Sequence, residues 1–356
     1  MARVIVGMSG GVDSAVTAYL LKRAGYDVVG TTLRIWESDG GEESRCCEIN
    51  DARHTAWKLG IQYYALNSIS DFERYITKPF MDCYIAGKTP NPCVFCNRHV
   101  KWEKMLYFAG VMGADYIATG HYASVIKLPN GRFTVRKARH AEKDQTYMLY
   151  RLSQEQLAAT LMPLGDYTKE QVRNIAREAG LSVAEKADSQ EICFVTDGNY
   201  ADFIKNNAKV PIPPSGNFVA EDGTVLGTHK GIINYTVGQR KGLGLPLGYP
   251  AYVKEIVPAT NEVVISTEDS LYSREIICGN LNFLSIGGLL PGEKLRCIVK
   301  IRYHHKGELA EIGMQEDGHL RIVFDTPVRA ATPGQSAVFY GDEDYVIGGG
   351  IIEKTS

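Results

Sequence analysis

Short apolar runs alternate with amphipathic segments through the first half of the chain. Four runs have the length of strands, and one reads as near-continuously apolar, as is typical of a parallel strand that is buried on both faces. They lie at residues 4–7, 26–33, 61–66 and 115–119. Helices are predicted at residues 51–59 and 71–86 and around Trp102, where apolar residues recur at i, i+3, i+4 and i+7. This alternation predicts a doubly wound parallel sheet whose ligand binds at the carboxyl ends of the strands.

The periodicity changes in the second half of the chain. Pro129-Asn130-Gly131 lies between two alternating runs and predicts a hairpin. A capped helix is predicted from Thr168, with Gln171 at its third position and Gly180 as its stop. Past Lys209, prolines and glycines replace helical spacing, and short strands follow one another closely. We therefore predict an α/β chain with a doubly wound parallel-sheet domain at residues 1–208, a small β-rich central domain at 209–273 and a C-terminal β-barrel at 274–356.

Composition and charge place few limits on function. A chain of 356 residues can form two or three domains with cores of their own. It has no run of eighteen apolar residues, so no membrane span is expected, and its first strand begins too early for a signal peptide. We expect a cytoplasmic protein whose eight cysteines are thiols, metal ligands or redox-active groups. The formal net charge of −2 says little about partners, because a nucleic-acid enzyme can carry its basic surface locally.

The first candidate site is the glycine-rich turn Ser9–Ser14, with the sequence SGGVDS, between a strand and a helix. Two adjacent glycines let the backbone approach an anion closely, and the N–H groups that begin a helix point toward it. The turn is not a Walker A loop, because Val12 and Asp13 stand where Lys and Ser or Thr are required. A simpler alternative is an ordinary strand-to-helix turn in which Asp13 is the N-cap.

The cysteines form a second group of candidates. Cys93 and Cys96 lie between a proline turn and a predicted helix N-terminus, which lowers a thiol pKa and makes the thiol nucleophilic or metal-binding. A zinc ribbon would need a second such pair or paired His and Cys at ligand spacing, and the sequence has neither. Cys193 lies in an apolar, strand-like segment and, taken alone, is more typical of a core residue than of a catalytic one. Cys46 and Cys47 are ambiguous.

One stretch in the last third of the chain favours RNA as a partner. From Lys294 to Lys306 the even positions are mostly basic and the odd positions mostly apolar. Period two predicts one strand with an apolar row facing inward and a basic stripe of a single sign facing outward. With Tyr303 beside it, this stripe is typical of a surface that follows RNA phosphates. A second basic block, at residues 132–143, is equally well explained as a solvated face.

Taken together, these motifs resemble those of the bacterial tRNA-specific 2-thiouridylases, and the match covers essentially the whole chain. The SGGVDS loop is shared with many enzymes that cleave ATP between its α- and β-phosphates, but the ordered set is highly specific. Its other members are the Cys46-Cys47…Asp51-Ala52-Arg53 stretch, NPCVFCN at 91–97, ATGHYA at 118–123, KDQTYML at 143–149, SQEICFV at 189–195, YTVGQRKGLG at 235–244 and Arg302-Tyr303.

The resemblance implies a tRNA uridine 2-sulfurtransferase whose first domain is a pyrophosphate-loop ATPase. ATP would adenylate the 2-oxygen of the wobble uridine of tRNA, Mg²⁺ would neutralise the departing pyrophosphate, and a sulfur-donor protein or sulfide would supply the sulfur. The family's ATP-binding positions map to Gly7, Met8, Ser9, Gly10, Gly11, Val12, Asp13, Ser14, Leu33 and Gly120. Its positions for the target base and tRNA map to Asn91, Pro92, Cys93, His121, Lys143, Asp144, Gln145, Arg302, Tyr303 and Gln335.

The resemblance also assigns two catalytic cysteines. Cys193 would carry a persulfide, and Cys96 would attack to release the sulfur, which leaves a Cys96–Cys193 disulfide. Cys93 departs from the family pattern, since many relatives have there an Asp with an acid–base role. This third thiol leaves an alternative open, in which Cys93, Cys96 and Cys193 hold a [4Fe–4S] cluster with one open iron, as in related tRNA thiolases of the same fold.

Two other functions fit parts of the sequence. Another adenylating ATPase of this fold, such as an amidating synthase, would need a glutaminase or amine-handling region, and the basic β-rich C-terminal part fits that poorly. A non-enzymatic RNA-binding module with a nucleotide-sensing loop would keep its tRNA affinity after mutation of Asp13 and would show no turnover.

Overall fold

The computed structural model describes residues 1–36, 48–187, 192–195 and 199–355, so Cys46, Cys47 and residues 189–191 lie outside the described residues. The strands are β1 Arg3–Gly7, β2 Asp27–Arg34, β3 Gln62–Asn67, β4 Tyr116–Ala118, β5 Ala123–Lys127, β6 Phe133–Lys137, β7 Thr160–Leu161, β8 Gly216–Ala220, β9 Val225–His229, β10 Tyr252–Val257, β11 Glu262–Ser266, β12 Tyr272–Phe283, β13 Lys294–Lys300, β14 Glu308–Met314, β15 Leu320–Arg329, β16 Ser336–Tyr340 and β17 Val346–Thr355. The α-helices are α1 Val12–Arg23, α2 Ile49–Leu59, α3 Ile69–Phe72, α4 Lys78–Ile85, α5 Pro92–Cys96, α6 Glu103–Met112, α7 Gln154–Ala158, α8 Lys169–Glu178 and α9 Tyr200–Asn207.

The first part of the chain is built on a parallel sheet with the strand order β3-β2-β1-β4-β7. Alternate residues of β1 point to opposite faces, since Val4 and Val6 pack with residues of α1, α2 and α8 whereas Ile5 packs with residues of α6. Helices therefore cover both faces, and the predicted doubly wound sheet is confirmed. The four predicted strands agree with β1–β4 to within one residue at each end.

The ends of α8 follow from its local sequence. The Thr168 hydroxyl accepts the N–H of Gln171 at 3.0 Å, and the Gln171 side chain accepts the N–H of Thr168 at 2.8 Å, which completes the predicted capping box. Gly180 ends the helix with a φ of +64°. Two π-helical turns, Glu73–Thr77 and Asn97–Trp102, join α3 to α4 and α5 to α6. Hydrophobic periodicity does not predict α7 and α9, because it is measured over windows of about 11–18 residues. These two helices are only five and eight residues long.

Two β structures follow the parallel sheet. Strands β8–β11 form a sheet in the order β10-β11-β8-β9, in which β8 and β11 run parallel. Strands β12–β17 close into a barrel in the order β12-β15-β14-β13-β16-β17, and closure leaves no strand edge unpaired. Ile276, Val299 and Phe339 are among the buried side chains of the barrel core. The β-rich central part and the C-terminal β-barrel are thus confirmed. Within the described ranges, no helix is long and apolar enough to cross a membrane.

The hairpin of β5 and β6, which forms where the sequence predicts it, contacts the barrel. Lys137 pairs with Asp344 at 2.6 Å, and Arg132 donates from Nε to the carbonyl of Leu284 at 2.8 Å. The basic block at residues 132–143 therefore serves in part to fix the barrel to the first part of the chain, and it is not only a solvated face.

Candidate active site

The turn between β1 and α1 is shaped by Ser14. Its hydroxyl donates to the carbonyl of Gly11 at 3.0 Å and accepts the N–H of Ser9 at 3.1 Å. Gly10 has a φ of +81°, which L side chains rarely adopt, and a Cβ there would lie 2.7 Å from the carbonyl oxygen of Glu48. The first N–H groups of α1 thus face a preformed loop, an arrangement that binds anions.

Asp13 is not the N-cap of α1. The helix begins at Val12 with Gly11 as its cap residue, and Asp13 lies in the first turn. Its carboxylate accepts the hydroxyl of Tyr122 at 2.7 Å and the ammonium of Lys169 at 2.8 and 2.9 Å. The simpler alternative of an N-cap at Asp13 is wrong, because this side chain is held by two other elements of the fold.

Gly120 lies directly against the start of α1. A Cβ at Gly120 would be 2.8 Å from the carbonyl carbon of Asp13 and 2.8 Å from the nitrogen of Ser14. Leu33, near the end of β2, packs on the opposite side of the sheet from α1. The residues predicted to bind ATP therefore gather where β1, β2 and β4 end, which is where a doubly wound sheet binds its ligand.

A second lysine connects this loop to α2. Lys186 contacts the carboxylates of Glu48 and Asp51 and lies 3.3 Å from the carbonyl oxygen of Gly10. Sequence reasoning does not find Lys169 or Lys186. Their carboxylate partners lie at least 135 residues away in the chain, so no local spacing indicates these contacts.

The NPCVFCN motif forms α5 and the turn that follows. The Asn91 side chain accepts the N–H of Cys93 at 3.2 Å, and Pro92 occupies the first helical position, where its missing N–H has no cost. The Asn97 amide donates to the carbonyl of Met148 at 3.0 Å, and the Asn91 amide lies 3.5 Å from the Met148 sulfur. The structure thus brings the NPCVFCN and KDQTYML motifs together.

Cys96 and Cys193 border one hydrophobic cluster although they are far apart in the sequence. Cys96 is buried at the end of α5, and Cys193 is half-buried. Cys193 lies in a turn, so the prediction of a strand-like segment is wrong; the neighbouring Phe194 turns inward and packs edge-on against Phe72. Leu33 packs against the same cluster. The two predicted catalytic thiols therefore share one hydrophobic cluster with a residue from the strand end that is predicted to hold ATP.

The three cysteines that the resemblance names as cluster ligands lie in different environments. Cys93 is exposed, Cys96 is buried and Cys193 is half-buried. Among the residues that the structure describes, no three His, Cys, Asp or Glu side chains converge closely enough to hold a metal ion. We therefore derive no reaction step through a cluster on these thiols.

His121 follows Gly120 and packs against Trp102, with the ring centroids 5.5 Å apart. Its Nδ1 lies 2.9 Å from the hydroxyl of Thr119. Burial, together with the positive charge of Lys101, lowers the pKa of His121 to about 3. The imidazole is therefore neutral near pH 7, so it can contact a nucleoside through a hydrogen bond but cannot attract a phosphate by charge.

We expect His121 to make the fold less stable in acid. The pKa of an unfolded histidine is about 6.5, so between pH 6.5 and pH 3 the unfolded chain binds a proton that the folded chain does not. His121 therefore does not reduce the free energy of unfolding above pH 6.5, and it reduces that free energy increasingly as the pH falls from 6.5 toward 3. Thermal melting from pH 7 to pH 4 should show a smaller loss for His121→Gln than for wild type and for the exposed control His54→Gln. An equal loss in all three proteins would contradict this prediction.

Two of the predicted tRNA contacts make their hydrogen bonds within the chain. Asp144 is buried, and its carboxylate accepts the hydroxyl of Thr146 at 2.8 Å. The Gln145 side chain accepts the N–H of Tyr122 at 2.9 Å. Lys143, beside them, is half-buried. In this conformation Asp144 and Gln145 stabilise the turn that precedes Met148.

The basic strand is shorter and less uniformly charged than its sequence predicts. β13 ends at Lys300: its pairing with β14 extends to Val299 and its pairing with β16 extends to Lys300. On its outward face Lys294 pairs with Glu311 at 2.7 Å and Arg296 pairs with Asp325 at 2.6 Å. The alternation of buried and outward residues is confirmed within β13. The prediction of a single-sign stripe over the whole stretch is wrong, because neighbouring strands supply carboxylates.

Arg302 and Tyr303 lie in the turn after β13. Arg302 donates to the carbonyl of Arg329 at 2.8 Å, and Tyr303 packs edge-on against Tyr147 with the ring centroids 6.1 Å apart. Tyr147 belongs to the KDQTYML motif, so this turn of the barrel lies beside the candidate active site.

Thr89, two residues before the Asn91 cap, connects all three parts of the fold. Its N–H donates to the carbonyl of Pro333, and its carbonyl accepts the side-chain amide of Gln335 at 3.0 Å. Its hydroxyl lies 3.2 Å from that of Thr236 in the central part. We call these contacts the Thr89 junction. Gln335, a predicted tRNA contact, is thus hydrogen-bonded to the segment that leads into α5.

Three family models match consecutive parts of the chain. They are described as a tRNA methyl transferase HUP domain, a tRNA methyl transferase PRC-barrel domain and an aminomethyltransferase beta-barrel domain, at residues 2–197, 201–267 and 273–352. The tRNA-specific 2-thiouridylase MnmA of Lachnoclostridium phytofermentans is 52% identical over 99% of this chain and 100% of its own length. The MnmA of Acetivibrio thermocellus is 52% identical over 99% of each chain. This chain belongs to the tRNA-specific 2-thiouridylase family.

Membership of the 2-thiouridylase family confirms the resemblance that the sequence motifs carry. A solved structure, the U34-tRNA thiolase NcsA from Methanococcus maripaludis with its [4Fe–4S] cluster, is 17% identical with a TM-score of 0.36. The match covers 58% of this chain and 67% of NcsA. At this TM-score the likeness carries no argument about a cluster in the 2-thiouridylase described here.

Proposed function

We propose that this protein is a cytoplasmic tRNA uridine 2-sulfurtransferase that uses ATP to thiolate the wobble uridine. Its full-length relatives are named tRNA-specific 2-thiouridylases. The structural observation that carries the proposal is the hydrophobic cluster bordered by Cys96, Cys193 and Leu33. Both thiols and Leu33, from the strand end at which we place ATP, belong to this one cluster, which supports adenylation and sulfur transfer on one bound base.

In the first step, the uridine 2-oxygen attacks the α-phosphorus of ATP. The bond between this phosphorus and the bridging oxygen breaks, pyrophosphate leaves with the electron pair, and the uridine carries AMP as a leaving group. The N–H groups at the start of α1 would bind the phosphates. Asp13 would hold Mg²⁺, because its carboxylate is half-buried at the loop. Mg²⁺ that is bound to phosphates commonly takes one or two carboxylate ligands from the protein. When bound, Mg²⁺ neutralises charge on the pyrophosphate.

In the second step, the terminal sulfur of a persulfide on Cys193 attacks C2 of the uridine and displaces AMP. The Cys96 thiolate then attacks the inner sulfur, on Cys193. The bond from that sulfur to the transferred sulfur breaks, and the electron pair stays on the thiouridine. A Cys96–Cys193 disulfide remains. Its formation requires proximity, and the membership of both residues in one cluster supports it.

The disulfide must be opened before another cycle. If sulfide is the donor, HS⁻ attacks the Cys193 sulfur of the disulfide, which regenerates the persulfide and releases the Cys96 thiolate. If a protein persulfide is the donor, a thiol reductant must first cleave the disulfide. The reaction thus balances with either donor.

Nucleoside mass spectrometry of tRNA tests the proposal. The reaction contains iron-free protein in its disulfide form, unmodified tRNA, ATP, Mg²⁺ and sulfide, and a matched reaction lacks ATP. We expect 2-thiouridine only when ATP is present. Product that requires anaerobic iron–sulfur reconstitution would overturn the persulfide route and retain the thiolation. Absence of product under both conditions would overturn the proposed function.

A further inference from the structure

Lys169 is the first residue of α8, and its ammonium lies at the rim of the glycine-rich loop. Its Nζ is 2.9 and 2.8 Å from the two carboxylate oxygens of Asp13. It also lies 5.9 Å from the ring centroid of Tyr122. The Lys169 side chain is 15% exposed, so the charge is held at the site and does not extend into solvent.

The position of this charge is unfavourable for α8 itself. A helix N-terminus carries partial positive charge, which favours an acidic residue in the first turn and disfavours a basic one. Helix α1 packs on α8, and its own N-terminus lies at the same loop. At the Asp13 side of the loop the N-termini of α1 and α8 meet the Lys169 ammonium, whereas at Gly10 the ammonium of Lys186 is paired with Glu48 and Asp51. Two helix N-termini and a mobile ammonium beside one glycine-rich turn fit a phosphate ligand.

The geometry points to the β- and γ-phosphates of ATP as that ligand. We propose that Lys169 is a phosphate-binding residue that pairs with Asp13 in the nucleotide-free chain and contacts the pyrophosphate part of ATP when it binds; this inference rests on the proposed function. Tyr122 donates to Asp13 at 2.7 Å and keeps that carboxylate in place when the ammonium moves. Lys169 takes no part in proton transfer.

The contribution of Lys169 is greatest as the bond to the α-phosphorus breaks. At that moment, negative charge develops on the bridging oxygen of the departing pyrophosphate. A preorganised positive group beside that oxygen stabilises the transition state more than the ground state. The adenosine and the α-phosphate are retained on the uridine and do not need this lysine.

The test compares three ligands and three variants of the full chain. Calorimetric titration measures the binding of ATP, inorganic pyrophosphate and AMP to wild type, Lys169→Met and Lys169→Arg. Arg177→Met is the matched control, because Arg177 lies at the other end of α8 in an exposed pair with Glu185. In Lys169→Met we expect about 10-fold weaker binding of ATP and pyrophosphate, unchanged binding of AMP, and about 100-fold slower tRNA-dependent pyrophosphate release. Lys169→Arg should retain most of the binding, and Arg177→Met should match wild type.

Two results would overturn the inference. One is equal weakening of AMP and ATP in Lys169→Met, which indicates a structural effect on the loop. The other is binding and pyrophosphate release within threefold of wild type. A failure of the proposed function is recognised separately, because wild type itself would then make no 2-thiouridine. If wild type binds neither ATP nor pyrophosphate, the inference is overturned together with the proposed function.

Discussion

Replacing Cys193 with serine should abolish 2-thiouridine formation while tRNA-dependent pyrophosphate release continues. A serine hydroxyl cannot carry a persulfide, whereas adenylation of the uridine does not use the thiol. We expect thiolation to fall by more than about 1000-fold, as is usual when a covalent nucleophile is removed. Nucleoside mass spectrometry and a pyrophosphate assay on the same samples measure the two steps separately.

Cys96→Ser and Cys83→Ser complete this experiment. Without Cys96, the sulfur bonded to C2 is not released, so a Cys193-linked tRNA should accumulate and dissociate when a thiol reductant is added. Cys83 is half-buried on α4 and is not used in the proposed reaction, so Cys83→Ser should thiolate at the wild-type rate. Thiolation by Cys193→Ser within tenfold of wild type would exclude both the persulfide and the cluster assignments of this residue.

Replacing Gly120 with alanine should disable both steps. The added Cβ would lie 2.8 Å from backbone atoms of Asp13 and Ser14, so the first turn of α1 must move. A displacement of about 1 Å at a reacting group can cost about 100-fold in rate, and we expect that loss in both pyrophosphate release and thiolation. Overpacking should also lower the free energy of unfolding by about 1–3 kcal/mol. Steady-state kinetics and thermal melting measure the two effects.

Gly110→Ala is the matched control for this substitution. Gly110 lies in α6, and a Cβ built there has no atom within 4 Å. Alanine in a helix is about 0.5–1 kcal/mol more favourable than glycine, so this variant should be active and slightly more stable. If Gly120→Ala matched Gly110→Ala in rate and in melting temperature, the close approach of β4 to α1 would have no role in the loop.

Much of the fold could be predicted because its signals are local. Strands β1–β4 are apolar runs between amphipathic helices, and the capping box of α8 lies within four residues. The glycine-rich loop is also local, since its conformation depends on adjacent residues. The place of Leu33 at the carboxyl-end edge of the sheet also follows once the order of the strands is known.

The parts that could not be predicted depend on contacts between distant residues. Lys169 and Lys186 have ordinary sequence surroundings, and only the fold places them beside the loop. The charge of the β13 surface depends on strand register, because Glu311 and Asp325 are on other strands. Asp144 shows the same limit, since the resemblance assigned it to tRNA and only the fold shows that its carboxylate is buried.

The Thr89 junction also has a consequence for synthesis on the ribosome. The parallel sheet through β4 can form early, since all its strands but β7 lie within the first 118 residues. Gln335, however, is 246 residues downstream of its partner Thr89. The contacts of Thr89 with Pro333 and Gln335 can therefore form only after the barrel is translated. A nascent chain can hold a folded glycine-rich loop before the segment that leads into α5 has made its last contacts.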